Sequence, residues 1–143
     1  MINIKNNILW LGLAMLIVIT NGLVGHFYPP NGIFFTPVVL ISTTFFVCFG
    51  TKKIRFIYLS FLTYFFVAFN DILVKLYTGG THDIEGQHWI HLLLIIGLIP
   101  VLLIFFASLL KKSQDTLLHK IFSFILLILL IVLHLKLFKN LGV

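Results

Sequence analysis

Residues 89–110 read WIHLLLIIGLIPVLLIFFASLL, an apolar run without one Asp, Glu, Lys or Arg. A helix rises about 1.5 Å per residue and needs ~20 apolar residues to cross ~30 Å of bilayer hydrocarbon. This run is long enough to span. Four further stretches share its character: Ile8–Gly25, Phe35–Gly50, Phe56–Val74 and Leu117–Leu135. Helices satisfy their own backbone polar groups in lipid, so the sequence predicts an all-α integral membrane protein, a bundle of about five transmembrane helices. Phe35–Gly50 is the shortest, and a re-entrant or interfacial course is its alternative to crossing.

Composition points the same way. Hydrophobic residues make up 60% of the 143 and charged ones 10%, with a mean hydropathy of +1.14. A soluble domain carries roughly 25% charged residues, so a soluble core is excluded. The net charge of +6 is not gathered on one arm or helix but divided into short clusters between the apolar runs. That distribution predicts topology signals and no nucleic-acid partner. The lone cysteine, Cys48, lies in an apolar run, without a disulfide partner or a Cys-x-x-Cys pair. Without an internal repeat, residues 1–143 are one polytopic transmembrane domain. The first run follows a lysine but has no small-x-small cleavage site after it, so it is expected to stay as a retained helix.

Orientation follows from the lysines. Lys5 precedes the first run, Lys52, Lys53 and Arg55 separate the second from the third, and Lys111 and Lys112, with Lys120 at the start of the fifth run, lie between the fourth and the body of the fifth. Cytoplasmic loops carry the excess of Lys and Arg, which predicts an N-in, C-out chain with Lys75, Lys136 and Lys139 outside. One arginine against nine lysines, with abundant Ile, Asn and Phe, fits an AT-rich bacterial genome and an inner-membrane home.

Outward from residue 89, toward the N-terminus, lies a polar island: Asn70, Asp71, Lys75, then Thr81-His82-Asp83-Ile84-Glu85-Gly86-Gln87-His88-Trp89-Ile90-His91. The topology puts this loop on the outer face, together with five of the six histidines; His119 alone belongs inside. His88 and His91 are three apart and share a helix side, and Glu85 joins them if the helix starts early enough. Imidazole and carboxylate suit zinc, copper or iron, which makes His82, Asp83, Glu85, His88 and His91 a candidate transition-metal set. Alternatively, two of His26, His88, His91 and His134 would serve as axial ligands of a haem between helices. Interfacial histidines and acids also cap helices or face water without binding anything. Asp71 and Lys75 are four apart with the acid first, the favoured order for a helical ion pair. Ionisable groups at membrane depth are functional-site candidates by default.

Gly22, Gly25, Ala68 and Ala107 are expected to permit close helix packing, and Pro100 to kink the fourth helix. The segment Tyr28-Pro29-Pro30-Asn31-Gly32-Ile33-Phe34-Phe35-Thr36-Pro37-Val38 resembles the Pro-Pro turn and second-helix start of the translocator protein family, five-helix membrane proteins that bind porphyrins and sterols. The resemblance is confined to that stretch: its Phe-to-Pro spacing is one residue longer, and Ile33 and Val38 or Val39 stand where the family carries tryptophan. The family is not assigned on it.

Three functions from different classes follow. The leading one is a non-enzymatic subunit or accessory protein of a larger membrane assembly or homo-oligomer, with loop 70–91 as its polar interaction or ligand site. The second is a membrane metal or haem protein. The third is a lipid-acting enzyme, with His82 or His88 as general base oriented by Asp83 or Glu85, or a small transporter.

Overall fold

The computed structural model describes residues 2–78, 84–111, 116–139 and 141; His82 and Asp83, with Gly79, Gly80, Thr81 and Lys112, lie outside the described residues. Five helices long and apolar enough to cross a membrane follow one another: α1 (Ile2–Phe27), α2 (Asn31–Phe45, continued by a π-helical turn Phe46–Gly50), α3 (Phe56–Tyr77), α4 (Ile84–Lys111) and α5 (Leu117–Leu137). No strand occurs among the described residues.

All five helices run past the apolar stretches at one or both ends. In α1 the helix continues through Asn6 and Asn7, because helix geometry does not stop where the hydrocarbon stops. There Asn7 clamps the α2–α3 turn: its Nδ2 donates to the Lys52 carbonyl (2.9 Å), and the Lys52 N–H donates back to Oδ1 (2.8 Å). Lys53 sits in that turn with φ 59, in the left-handed region, which reverses the chain within a few residues. The second segment starts at Asn31, directly after a cis Pro29–Pro30 bond, and with its π-helical turn covers 20 residues, enough to span. Both Pro37 in α2 and Pro100 in α4 lie inside helices that continue through them.

The helices alternate in direction, so the bundle has two unlike ends. At the lysine end, Lys111 lies over the Phe49 ring (5.5 Å) and Lys120 over the Phe56 ring (5.7 Å), placing the α4 end beside α2 and the α5 start beside α3. At the histidine end, the Phe34 and Trp89 rings are 6.2 Å apart, which sets the α4 start beside the start of α2. α1, α2 and α3 pack against one another; α4 lies mainly on α2 and α5 on α3, while α4 and α5 meet chiefly through Phe105 and Phe106 against Phe124. The core between them is Leu40, Val47, Phe56, Leu59, Leu94, Val101, Phe105 and Leu127.

Glycines permit the closest approaches. A Cβ on Gly97 would meet Leu40 Cδ1 at 2.8 Å and Pro37 Cα at 3.1 Å, and one on Gly22 would meet Leu73 at 3.2 Å. Small residues at helix crossings are what lipid-embedded packing uses in place of a hydrophobic driving force. Ala68 is buried as expected, but Ala107 is exposed on α4 and supports no crossing.

Several hydroxyls in the spans bond to carbonyls. Thr43 Oγ1 donates to its own helix at Val39 (2.8 Å). Ser60 Oγ donates to the carbonyls of Phe56 (3.0 Å) and Ser123 (2.8 Å), linking α3 to α5. Interhelical hydrogen bonds in membranes average ~0.6 kcal/mol with an upper end near ~1.7. Ser60→Ala is therefore expected to shift the unfolding free energy in detergent by less than about 1.7 kcal/mol, measured by denaturant titration.

Candidate functional site

One helical turn and a half before the end of α3, Asn70 and Asp71 stand side by side, and helical geometry turns them about 100° apart. Asp71 faces α5. Its Oδ2 accepts from Lys75 Nζ at 2.7 Å and from His134 Nε2 at 2.9 Å, with all three side chains at most 3% exposed. The i, i+4 pair read from the sequence is thus formed, but inside the protein rather than at its surface. Lys75 also donates to the Phe138 carbonyl at 2.8 Å, just past the last residue of α5. A cation there meets the partial negative charge of the helix C-terminus. The His134 ring stacks on Phe138 (centroids 4.7 Å apart) and meets Tyr64 edge-on at 5.9 Å.

Asn70 faces the other way, toward α1 and α2. Its Oδ1 accepts from Asn21 Nδ2 at 2.9 Å, and the same Asn21 amide reaches the Gly32 carbonyl at 3.2 Å. Gly32 is needed for this: a Cβ there would lie 2.6 Å from the Gly25 backbone, so only glycine lets α2 come close enough to α1. Thr78 closes the layer above, its hydroxyl in the space a Cβ on Gly25 would take. Two adjacent residues of α3 therefore tie it to α1 and α5, and through Asn21 to α2, at one level of the bundle.

Burying these groups is costly. An ion taken out of water loses several kcal/mol of solvation, repaid only by good geometry and further hydrogen bonds. Here one carboxylate oxygen receives two donors, and the amine has two acceptors. Asp71 Oδ1, His134 Nδ1, Asn21 Oδ1 and Asn70 Nδ2 are buried without a hydrogen-bond partner among the described residues. The level is close to the surface of the bundle, since Asp71 lies six residues, or roughly 9 Å, from the last residue of α3.

The remaining sequence-predicted residues are spread over the same end. α4 starts at Ile84, early enough to bring Glu85 into its first turn, where a carboxylate is favoured by the positive helix terminus. Glu85 and His88 are exposed, as is His26 at the end of α1. His91 is half-buried, and its Nδ1 donates to the Gln87 carbonyl at 2.7 Å. His134 is taken up by Asp71 and is not drawn toward the other histidines. Among the described residues, no three His, Cys, Asp or Glu side chains gather closely enough to hold one metal ion. His82 and Asp83 lie outside the described residues.

No family model, curated protein or solved structure matches this chain. The site is accordingly read from its own geometry. Sequence reading missed Asn21, Gly32 and Thr78 as members. An asparagine within an apolar run demands a partner in lipid, and Asn70 was the complementary signal.

Proposed function

We propose that this chain is a small multi-pass membrane protein that works as a non-enzymatic subunit or accessory protein of a larger membrane assembly, making its contact through the histidine end. The observation that carries the reading is the layering of that end. Exposed His26, Tyr28, Glu85, His88 and Trp89 lie over a buried layer of Asn21, Asn70, Asp71, Lys75 and His134 that joins α1, α2, α3 and α5. Rigid support beneath a polar and aromatic rim is what a specific protein contact requires, since anchors work when their positions are fixed before binding. The lysine distribution supports an outward-facing histidine end and a bacterial inner-membrane location.

Two experiments test this. A photo-crosslinking residue at position 88 in native membranes is expected to give one discrete adduct that persists in mild detergent, whereas one at position 53 gives none. A monodisperse monomer without adduct at position 88 contradicts the reading. Cysteines at positions 88 and 53 in a Cys48→Ala background are expected to react with a membrane-impermeant maleimide from opposite sides of the membrane, 88 from outside. Labelling of 88 only after permeabilisation reverses the proposed orientation.

A second reading, a small transporter, is favoured by one observation: Asp71, Lys75 and His134 converge at membrane depth, and such groups mark ion or proton pathways in transporters. It predicts ion flux in proteoliposomes that Asp71→Asn abolishes. Proteoliposomes indistinguishable from empty vesicles contradict it.

A further inference from the structure

We infer that the groove between the facing ends of α4 and α5 at the lysine end is a binding site for an anionic phospholipid, one acyl chain lying in the groove and the phosphate at Lys120. The groove exists because α4 and α5 each pack mainly on a different helix and meet chiefly where Phe105 and Phe106 contact Phe124. Its volume is about 220 Å³, and its walls are Phe106, Leu110, Leu117, Ile121 and Phe124. Sites for compact small molecules run to roughly 300–1,000 Å³, so a groove of this size suits part of a hydrocarbon chain better. It runs from the helix ends into the bundle side over the first two turns of α5, a stretch of roughly 12 Å. In a membrane, hydrocarbon chains are what an open apolar groove meets.

Charge selects the headgroup. Lys120 lines the groove in the first turn of α5, half-buried, its amine held over the Phe56 ring at 5.7 Å. Lys111 ends α4 nearby, exposed. Among the described residues the only carboxylates are Asp71 and Glu85, both at the opposite end, so neither amine has an acidic partner there; Asp115 in the connecting segment lies outside the described residues. A lysine lining an apolar groove in the first turn of α5, close to where the helices end, complements a lipid phosphate. A groove between α1 and α3 at the histidine end, about 360 Å³, offers an internal comparison, since its rim carries His26 and Tyr77 and no lysine.

The test is native mass spectrometry of the full chain in mild detergent, with phosphatidylglycerol and phosphatidylcholine of identical acyl chains as probes. Phosphatidylglycerol is expected to be retained preferentially. One lysine near an anionic membrane surface is worth about fivefold in binding, so Lys120→Gln is expected to cut phosphatidylglycerol retention by about that factor and leave phosphatidylcholine unchanged, with Lys120→Arg restoring it. Leu117→Trp, at an exposed position that fills the groove, is expected to lower retention of phosphatidylglycerol, while Leu23→Trp in the α1–α3 groove does not. Equal retention of the two lipids, or a Lys120→Gln protein with undiminished preference, overturns the site. Full competition by free glycerol phosphate also overturns it, because a bare surface cation would then account for binding without the groove.

Discussion

Asp71→Ala is expected to destabilise the bundle by about 3–5 kcal/mol, the range for breaking a buried ion pair from one side. The loss does not come from the missing contact alone. Lys75 and His134, at most 3% exposed, would remain in the interior facing no carboxylate among the described residues, and the Phe138 carbonyl would be the acceptor left to the lysine there. Removing the whole set should reverse the sign of the argument. A triple variant, Asp71→Leu with Lys75→Met and His134→Phe, leaves no orphaned charge and is expected to be at least as stable as the natural chain. Denaturant titration in micelles, followed by the fluorescence of Trp10 and Trp89, measures both. If the triple variant keeps its stability but loses the adduct from position 88, the charged set serves the contact and not the fold.

Gly32→Val is expected to have the second large effect. Any Cβ at this position falls 2.6 Å from Gly25 Cα and 3.2 Å from the Asn21 carbonyl, so α1 and α2 must part. The neighbouring atoms are backbone, which has no rotamer to escape into. Overpacking of this kind costs about 1–3 kcal/mol and sometimes more. Parting the helices also pulls the Gly32 carbonyl from Asn21, so the Asn21–Asn70 bond should loosen with it. Gly12→Ala is the control. Nothing lies within 4 Å of a Cβ there, and the higher helix propensity of alanine predicts no loss or a gain of about 0.5–1 kcal/mol. Equal losses at positions 12 and 32 would mean that the close α1–α2 approach at Gly32 does not decide the outcome.

The five helices were legible because length and apolarity alone specify a membrane span. Their ends were less so: α1 extends through Asn7 and α4 starts at Ile84, since polar residues at an interface continue a helix as readily as they end it. The Asp71–Lys75 pair was legible because i, i+4 spacing is local. Its partner His134 was not, being 63 residues away on a helix whose rotation nothing local fixes. In soluble helices an amphipathic stripe reveals the buried face. Here lipid and interior are both apolar, so apolarity does not tell the buried face from the lipid face, and the histidines could be assigned to one end but not to positions around it. That is why His26, His88, His91 and His134 share an end of the bundle without sharing a site.

The joining of α3 to α5 through Asp71 and His134 underlies the fold of that end, on which the proposed contact rests, and a double-mutant cycle measures it directly. Unfolding free energies of Asp71→Leu, His134→Leu and the double variant, titrated in the same micelles, give the coupling between the two side chains. The structure predicts at least about 1 kcal/mol, with the double variant losing less than the two singles together. Losses that add to within about 0.3–0.5 kcal/mol would mean that the two residues do not interact, and would contradict the arrangement of α5 on α3.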